Sequence, residues 1–276
     1  MGTIHIMKRV VIIGGAGRMG KAIVRCLQEK GVEGLELAGA VDLWDAPGLG
    51  EDIGRLSNTG ETGITLSSDL SALASVADVF IDFSFHTGTA GNAERIAEWG
   101  IPWVIGTTGL TQEETETIKE ASSKIPVLIA PNMSLGINLL FSLAEKAAEV
   151  LNEKEYDIEI IERHHRLKRD APSGTALGLG DAVAKGRKWN LEEVATHGRE
   201  RVAEHERSDQ EIGFHAVRGG DFVGDHTVLF AATGESVELS HRATNRDTFA
   251  VGALKAGGWI VHQTPGLYSM KDVLGL

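Results

Sequence analysis

The feature that most constrains this 276-residue chain is an apolar run ending in glycines: Val10-Val11-Ile12-Ile13-Gly14-Gly15-Ala16-Gly17-Arg18-Met19-Gly20. Arg9 to Ile13 reads as a buried strand, and Met19 to Lys30 as the helix that follows. Between a strand and a helix, each glycine has a physical task. One allows a tight turn, one lets backbone approach a pyrophosphate, and one lets the helix pack tightly on the strand. The N–H groups and dipole of the helix start then stabilise phosphate charge. A glycine turn alone also ends ordinary strands, so a second feature is needed. Asp42 supplies it: it follows the strand-like run Leu35 to Val41, about 20 residues past the turn, where an acidic group bonds an adenine ribose.

Asp42 also bears on which dinucleotide is bound. A carboxylate repels a 2′-phosphate, which calls for a nearby arginine, and the next residue is Leu43. Arg18 could substitute in part by reaching over the adenosine. The expected reductant is NADH, with use of NADPH left open.

Up to about residue 130, short apolar runs alternate with helical patterns. The strand-like runs are Val79 to Asp82, Trp103 to Ile105 and Val127 to Ala130, with helices around Thr89 to Trp99 and from Thr111. Such alternation predicts an α/β, Rossmann-type doubly wound parallel sheet. The pattern then changes. A long apolar helix, Ile137 to Leu151, precedes a strand, Asp157 to Ile161, and a helix, Thr175 to Lys188. A charged, weakly patterned stretch runs from about 185 to 210. From Ile212 the chain reads as antiparallel: Phe214 to Val217, Thr227 to Ala232 and Ser236 to His241, the last two joined by three residues containing Gly234. This predicts a second α+β domain with a mixed or antiparallel sheet. The final helix, Thr248 to Val261, is expected to return to the first domain. The expected division is 1–133 completed by 245–276, and 134–244 for the substrate.

The net charge of -12 excludes a general nucleic-acid binder, which needs a basic surface. Cys26 is the single cysteine, so no intrachain disulfide forms, and its neighbours Ile23, Val24 and Leu27 suggest a core position. Neither an apolar leader nor a membrane-length apolar stretch is found, so the expected location is the cytoplasm and no membrane partner is expected.

Against that acidic background stands Glu162-Arg163-His164-His165-Arg166-Leu167-Lys168-Arg169-Asp170-Ala171-Pro172-Ser173-Gly174-Thr175. Charge runs are usually solvated faces. This one leaves a buried-looking strand, holds two histidines able to exchange protons near neutral pH, and leads into a helix start with hydroxyls and free N–H groups. Those parts suit a small, doubly acidic substrate. Metal is rejected: adjacent histidines diverge, and one cysteine makes no structural zinc site. His197, His205, His215, His226, His241 and His262 are scattered and read as structural or surface residues.

The glycine turn, Gly106-Thr107-Thr108-Gly109, Ala130-Pro131-Asn132-Met133-Ser134, the run 162–175 and Arg218-Gly219-Gly220-Asp221 together resemble the 4-hydroxy-tetrahydrodipicolinate (dihydrodipicolinate) reductase family. The resemblance spans nearly the whole chain. It implies reduction of that ring dicarboxylate with NADH or NADPH in the diaminopimelate route to lysine. Another Rossmann-type reductase, acting on a small acid such as an amino-acid semialdehyde, is the rival reading. By resemblance, Gly14, Gly15, Ala16, Gly17, Arg18, Met19, Asp42, Gly106, Thr107, Thr108, Ala130, Pro131, Asn132 and Met133 line the nucleotide. His164 is the implied proton donor, and Lys168 a second donor that holds substrate. His165, Ser173, Gly174 and Thr175 are the implied substrate-binding residues. The second domain would assemble a homotetramer. Leu43 stands where some relatives have arginine, and no role follows for 185–210.

Overall fold

A computed structural model describes residues 7–32, 34–199 and 206–276; His205 lies outside them. In chain order the first elements are β1 (Lys8–Ile13), α1 (Arg18–Lys30), β2 (Leu35–Val41), α2 (Ile53–Leu56), β3 (Leu66–Ser67), α3 (Leu70–Ala74) and β4 (Val79–Asp82). Then come α4 (His86–Trp99), β5 (Trp103–Ile105), α5 (Gln112–Ser122), β6 (Pro126–Ile129), α6 (Leu135–Val150), β7 (Asp157–His164), α7 (Gly174–Arg187), α8 (Leu191–Val194) and β8 (Ala195–His197). The chain ends with β9 (Ile212–Arg218), β10 (Gly224–Ala232), β11 (Glu235–Ala243), α9 (Asp247–Ile260), β12 (Gly266–Tyr268) and α10 (Met270–Leu274).

Two compact units result, Met1–Leu135 with Arg246–Gly275, and Gly136–Asn245 with Leu276. The first is built on a wholly parallel sheet in the order β12-β6-β5-β4-β1-β2-β3. Its strands are apolar on both faces because both faces are covered. Val10 and Ile12 pack with α1 and α9, whereas Val11 and Ile13 pack with α4 and α5. Cys26 is a fully buried member of the first of these cores. Helix α5 starts on the expected Thr111, which forms a capping box with Glu114. Helix α9, at the position expected for a helix over 248–261, packs on α1, β4, β5 and β6 of this unit. Gly252 lets it approach the backbone: a Cβ there would lie 1.7 Å from the Met133 carbonyl oxygen.

The second unit has a mixed sheet in the order β11-β10-β7-β9-β8. Two expectations for it need correction. Strand β9 is parallel to both β7 and β8, so only the β10–β11 hairpin and the β10–β7 pair are antiparallel. Sequence order groups the strand with its neighbours, but the long connection after β7 allows a crossover that local pattern does not reveal. The hairpin loop is also shorter than expected: Ala232 pairs with Glu235, leaving Thr233 and Gly234 as the turn, with Gly234 at φ 91°. Ile158, Ile160, Phe214, Val228 and Phe230 cover one face of the sheet together with α6 and α7. The opposite face presents Glu159, His215, Leu229 and Glu238. The weakly patterned stretch is tied to it, because Arg199 and Arg207 both reach Glu159.

Candidate functional sites

In the first unit, Ile13, Asp82, Ile105 and Ile129 fall in one row at the carboxyl ends of β1, β4, β5 and β6. The loops leaving that row therefore lie side by side, where open parallel sheets bind ligands. They are the glycine turn, Phe83-Ser84, Gly106-Thr107-Thr108 and Ala130-Pro131-Asn132-Met133.

The glycine turn is built by backbone contact. Gly14 has φ +83°, and a Cβ there would sit 2.8 Å from the Phe83 carbonyl oxygen. A Cβ on Gly20 would lie 2.3 Å from the Gly14 oxygen, so α1 could not approach β1 as it does. The N–H groups of Gly14 and Gly15 both donate to the Val41 carbonyl. Helix α1 starts at Arg18 on Gly17, which offers no side-chain cap. Its first-turn N–H groups are thus left for an anion or water. Buried Gly15 and exposed Gly17 and Arg18 surround half-buried Ala16 and Met19.

Asp42 does more than the sequence suggested. Its Oδ2 accepts from the Ala16 N–H at 2.8 Å and its Oδ1 from the Leu43 N–H at 2.8 Å. It ties the turn to the end of β2 and still has lone pairs free for ribose hydroxyls. Asp42 and Leu43 line two neighbouring cavities of about 300 and 370 Å³. The first is also lined by Gly14, Trp44, Ser84 and Arg95, and Trp44 is 80% exposed there. A phosphate-sized cradle beside a cleft holding an acidic group and an aromatic ring fits a dinucleotide.

Gly106 packs directly against the Phe83 ring, which would have to shift for any side chain here, since a Cβ would fall 2.2 Å from it. Thr107 is buried and its hydroxyl bonds Thr89 Oγ1 at 2.9 Å, while Thr108 is exposed. Ala130 and Met133 are buried, Pro131 is exposed, and Asn132 Oδ1 accepts from the Ser134 N–H at 2.9 Å. Beneath these loops lies a residue that the sequence reading passed over. Asp82 is fully buried, and burial pushes its carboxyl up to about 6. Its Oδ1 accepts from the Ser84 N–H at 2.8 Å, and Ser84 Oγ lies 3.1 Å from Thr89 Oγ1. An Asp closing an apolar strand was the available signal.

The second site forms where β7 ends. Alternate residues of a strand share a face, so Glu162 and His164 both point inward, and both are buried. Glu162 Oε2 is 2.6 Å from His164 Nδ1. Arg218, on neighbouring β9, donates to both oxygens of Glu162 at 2.6 and 2.7 Å and to the Asp170 carbonyl at 2.6 Å. The Ser173 N–H donates to Glu162 Oε1 at 3.0 Å. Burial alone would raise the Glu162 carboxyl, but Arg218 and His164 outweigh it and hold it below the usual carboxylate range. For His164 the balance goes the other way: burial lowers its basicity, and Glu162 opposes that only in part.

Ser173, expected among the residues touching substrate, is the N-cap of α7. Its hydroxyl accepts from the Ala176 N–H at 3.1 Å and lies 3.2 Å from His226 Nε2. Both its polar groups are therefore engaged within the protein. Gly174 is exposed and Thr175 half-buried at the helix start. Lys168 reaches Asp170 at 2.8 Å, and its neighbour His165 is half-buried with its backbone N–H on the Phe222 carbonyl. His226, set aside as scattered, is buried edge-on against His164, the ring centres 5.1 Å apart. Burial pushes it down to about 3, so it is neutral at physiological pH. Among the described residues no group of three or more His, Cys, Asp or Glu is placed to hold a metal ion. In the sequence, Arg218 stands out only as part of a motif and Glu162 only as the start of the charged run. Neither local sequence shows that they meet across two parallel strands.

Known proteins resemble the chain along both units. Residues 8–133 match the family profile described as dihydrodipicolinate reductase, N-terminus, and residues 136–274 match the corresponding C-terminus. A 4-hydroxy-tetrahydrodipicolinate reductase of Syntrophus aciditrophicus is 46% identical over 98% of this chain and 99% of its own. One from Thiobacillus denitrificans is 49% identical over 97% of this chain and 98% of its own. Among solved structures, a dipicolinate-bound dihydrodipicolinate reductase from Paenisporosarcina sp. TG-14 superposes with a TM-score of 0.76. It is 27% identical and covers 97% of this chain and 99% of its own.

Proposed function

The chain belongs to the dihydrodipicolinate reductase family, and from that premise we propose how its residues serve the reaction. It is an NAD(P)H-dependent oxidoreductase that reduces 4-hydroxy-tetrahydrodipicolinate to tetrahydrodipicolinate in the diaminopimelate route to lysine. The bound dinucleotide supplies the hydride. The α1 start, Asp42, Gly106 to Thr108 and Ala130 to Met133 would hold it, consistent with the cradle at the strand ends.

In the second unit, the 4-hydroxyl leaves as water to give a conjugated imine, and as hydride adds to that imine negative charge grows on the ring nitrogen and a carboxylate. Lys168 offers an ammonium to that charge, where a preorganised donor has its largest effect. His165 and the N–H groups of Gly174 and Thr175 take the carboxylates, Thr175 adding its hydroxyl. Ser173 serves that grip from beneath, as the cap that shapes the turn. His164 delivers the proton. Imidazole is the side chain that exchanges protons most readily near neutral pH, and Glu162 offsets part of the burial that lowers the basicity of this one.

NADH is the preferred reductant, because Asp42 stands where a 2′-phosphate would need a cation and exposed Leu43 supplies none. The protein works in the cytoplasm as a homotetramer, joined through the sheet face that carries Glu159, His215 and Leu229. The observation that carries the functional reading is the buried pair of Glu162 and His164, close enough to feel the charge of Lys168 and bonded to the turn that opens α7. The test is a coupled assay: product of dihydrodipicolinate synthase is generated in place and nicotinamide absorbance followed. Loss of absorbance with formation of the reduced dicarboxylate is expected; no oxidation of either nicotinamide would refute it.

A further inference from the structure

Glu162 is a carboxylate that solvent does not reach, at 1% exposure. Such a charge is costly in a protein interior unless its partners are well aligned. Here the alignment is close to complete. Arg218 meets both oxygens in the paired geometry that guanidinium and carboxylate favour. The two remaining partners are His164 Nδ1 on one oxygen and the Ser173 N–H on the other. Arg218 alone could have neutralised the charge, so the other two bonds carry a second meaning. They join the imidazole to the turn that opens α7.

We propose that Glu162 is a positioning residue that couples the two halves of the substrate site, fixing His164 through one oxygen and the start of α7 through the other. This rests on the reading of His164 as the proton donor. Because an ionised Glu162 can only accept, Nδ1 of His164 carries the hydrogen in the neutral ring. Nε2 is then the atom that gains and loses the working proton. The space around Nε2 agrees: it faces Gly224, where a Cβ would come within 3.1 Å of it. Glu162 also stabilises the imidazolium against the burial that disfavours it. At its other oxygen it fixes Ser173, whose hydroxyl is held by neutral His226. The turn before Gly174 and Thr175 is thereby pinned from backbone and side chain together. Arg218 keeps Glu162 ionised and, through the Asp170 carbonyl, braces the same turn.

The experiment compares wild type with Glu162→Gln across pH, following kcat, substrate KM and thermal unfolding. Without the anion the imidazolium is less stable, so the falling limb of kcat should move to lower pH by about one unit or more. KM should rise several-fold, because glutamine has one acceptor oxygen for the His164 and Ser173 donors that the two oxygens of Glu162 serve. A lower unfolding temperature with an unmoved limb would mean a merely structural role and overturn the proposal. His164→Ala in the same series separates the two claims. Wild-type turnover there removes the proton-donor reading; impaired turnover beside an unshifted Glu162→Gln overturns only the positioning role. Should Glu162→Gln not fold, nitrogen NMR of wild-type His164 above its titration decides. Hydrogen on Nδ1 is expected, and hydrogen on Nε2 would overturn the assignment.

Discussion

The cofactor edge of the first unit and the strand exit of the second solve the problem of holding an anion in different ways. The first works almost entirely through backbone. Gly14, Gly17 and Gly20 clear space, and the helix start carries no side-chain cap, so the role proposed for it is written in one contiguous stretch. The second works through side chains and depends on a buried carboxylate from β7 that meets an arginine from β9 and a turn before α7. Backbone sites are rigid by sterics, whereas a side-chain site needs inner partners to hold charge and tautomer in place. The difference predicts that the first fails when atoms are added and the second when charges are removed.

The largest expected effect is at the strand exit. His164→Ala should lower kcat by on the order of 10² to 10⁴ while NADH affinity, measured by fluorescence titration, stays near wild type. Loss of NADH affinity with it would break the separation of the two regions. Next, Lys168→Ala should reduce kcat/KM by roughly 10-fold to 100-fold, as loss of one charge-assisted hydrogen bond implies. Steady-state rates should show both kcat and KM affected. At the cofactor edge, Gly20→Ala should weaken NADH by about 10-fold or more through overpacking, with calorimetric binding of dipicolinate unchanged. Leu43→Arg should raise kcat/KM for NADPH by about 10-fold, since it adds a donor for a 2′-phosphate.

The smallest effect concerns Asp82. Its carboxyl is pushed up to about 6 by burial, from an ordinary 3.8. The folded state therefore binds this proton more tightly than the unfolded chain does. The stability that results is full below pH 4 and is lost as pH rises through about 6. Asp82→Asn removes that dependence. The advantage of wild type over the variant should shrink between pH 4 and 7 by on the order of 2 kcal/mol, read as a few °C by calorimetry. A constant difference would mean that Asp82 ionises normally.

The same contrast explains what the sequence made visible. The parallel sheet was legible because its strands are apolar on both faces and its helices carry local caps, as Thr111 with Glu114 shows. The glycine turn was legible because its function needs neighbouring residues. The direction of β9 was not, since strand pairing across a crossover leaves no mark on the strand itself. Nor was the hub at Glu162, because Arg218 and His226 come from distant segments. Charged residues at inward positions of an apolar strand, Glu162 and His164 alike, were the one local sign. The capping role of Ser173 was hidden for a related reason: a helix cap and an anion ligand use the same residue types.

The central claim is that the strand exit selects a ring dicarboxylate. It is tested most directly by initial rates of NADH oxidation with enzymatically generated 4-hydroxy-tetrahydrodipicolinate and, separately, with aspartate semialdehyde. The account predicts that kcat/KM for the ring substrate exceeds that for the semialdehyde by about 10²-fold or more, because its second carboxylate has cationic partners waiting. Equal rates, or a preference for the semialdehyde, would contradict it.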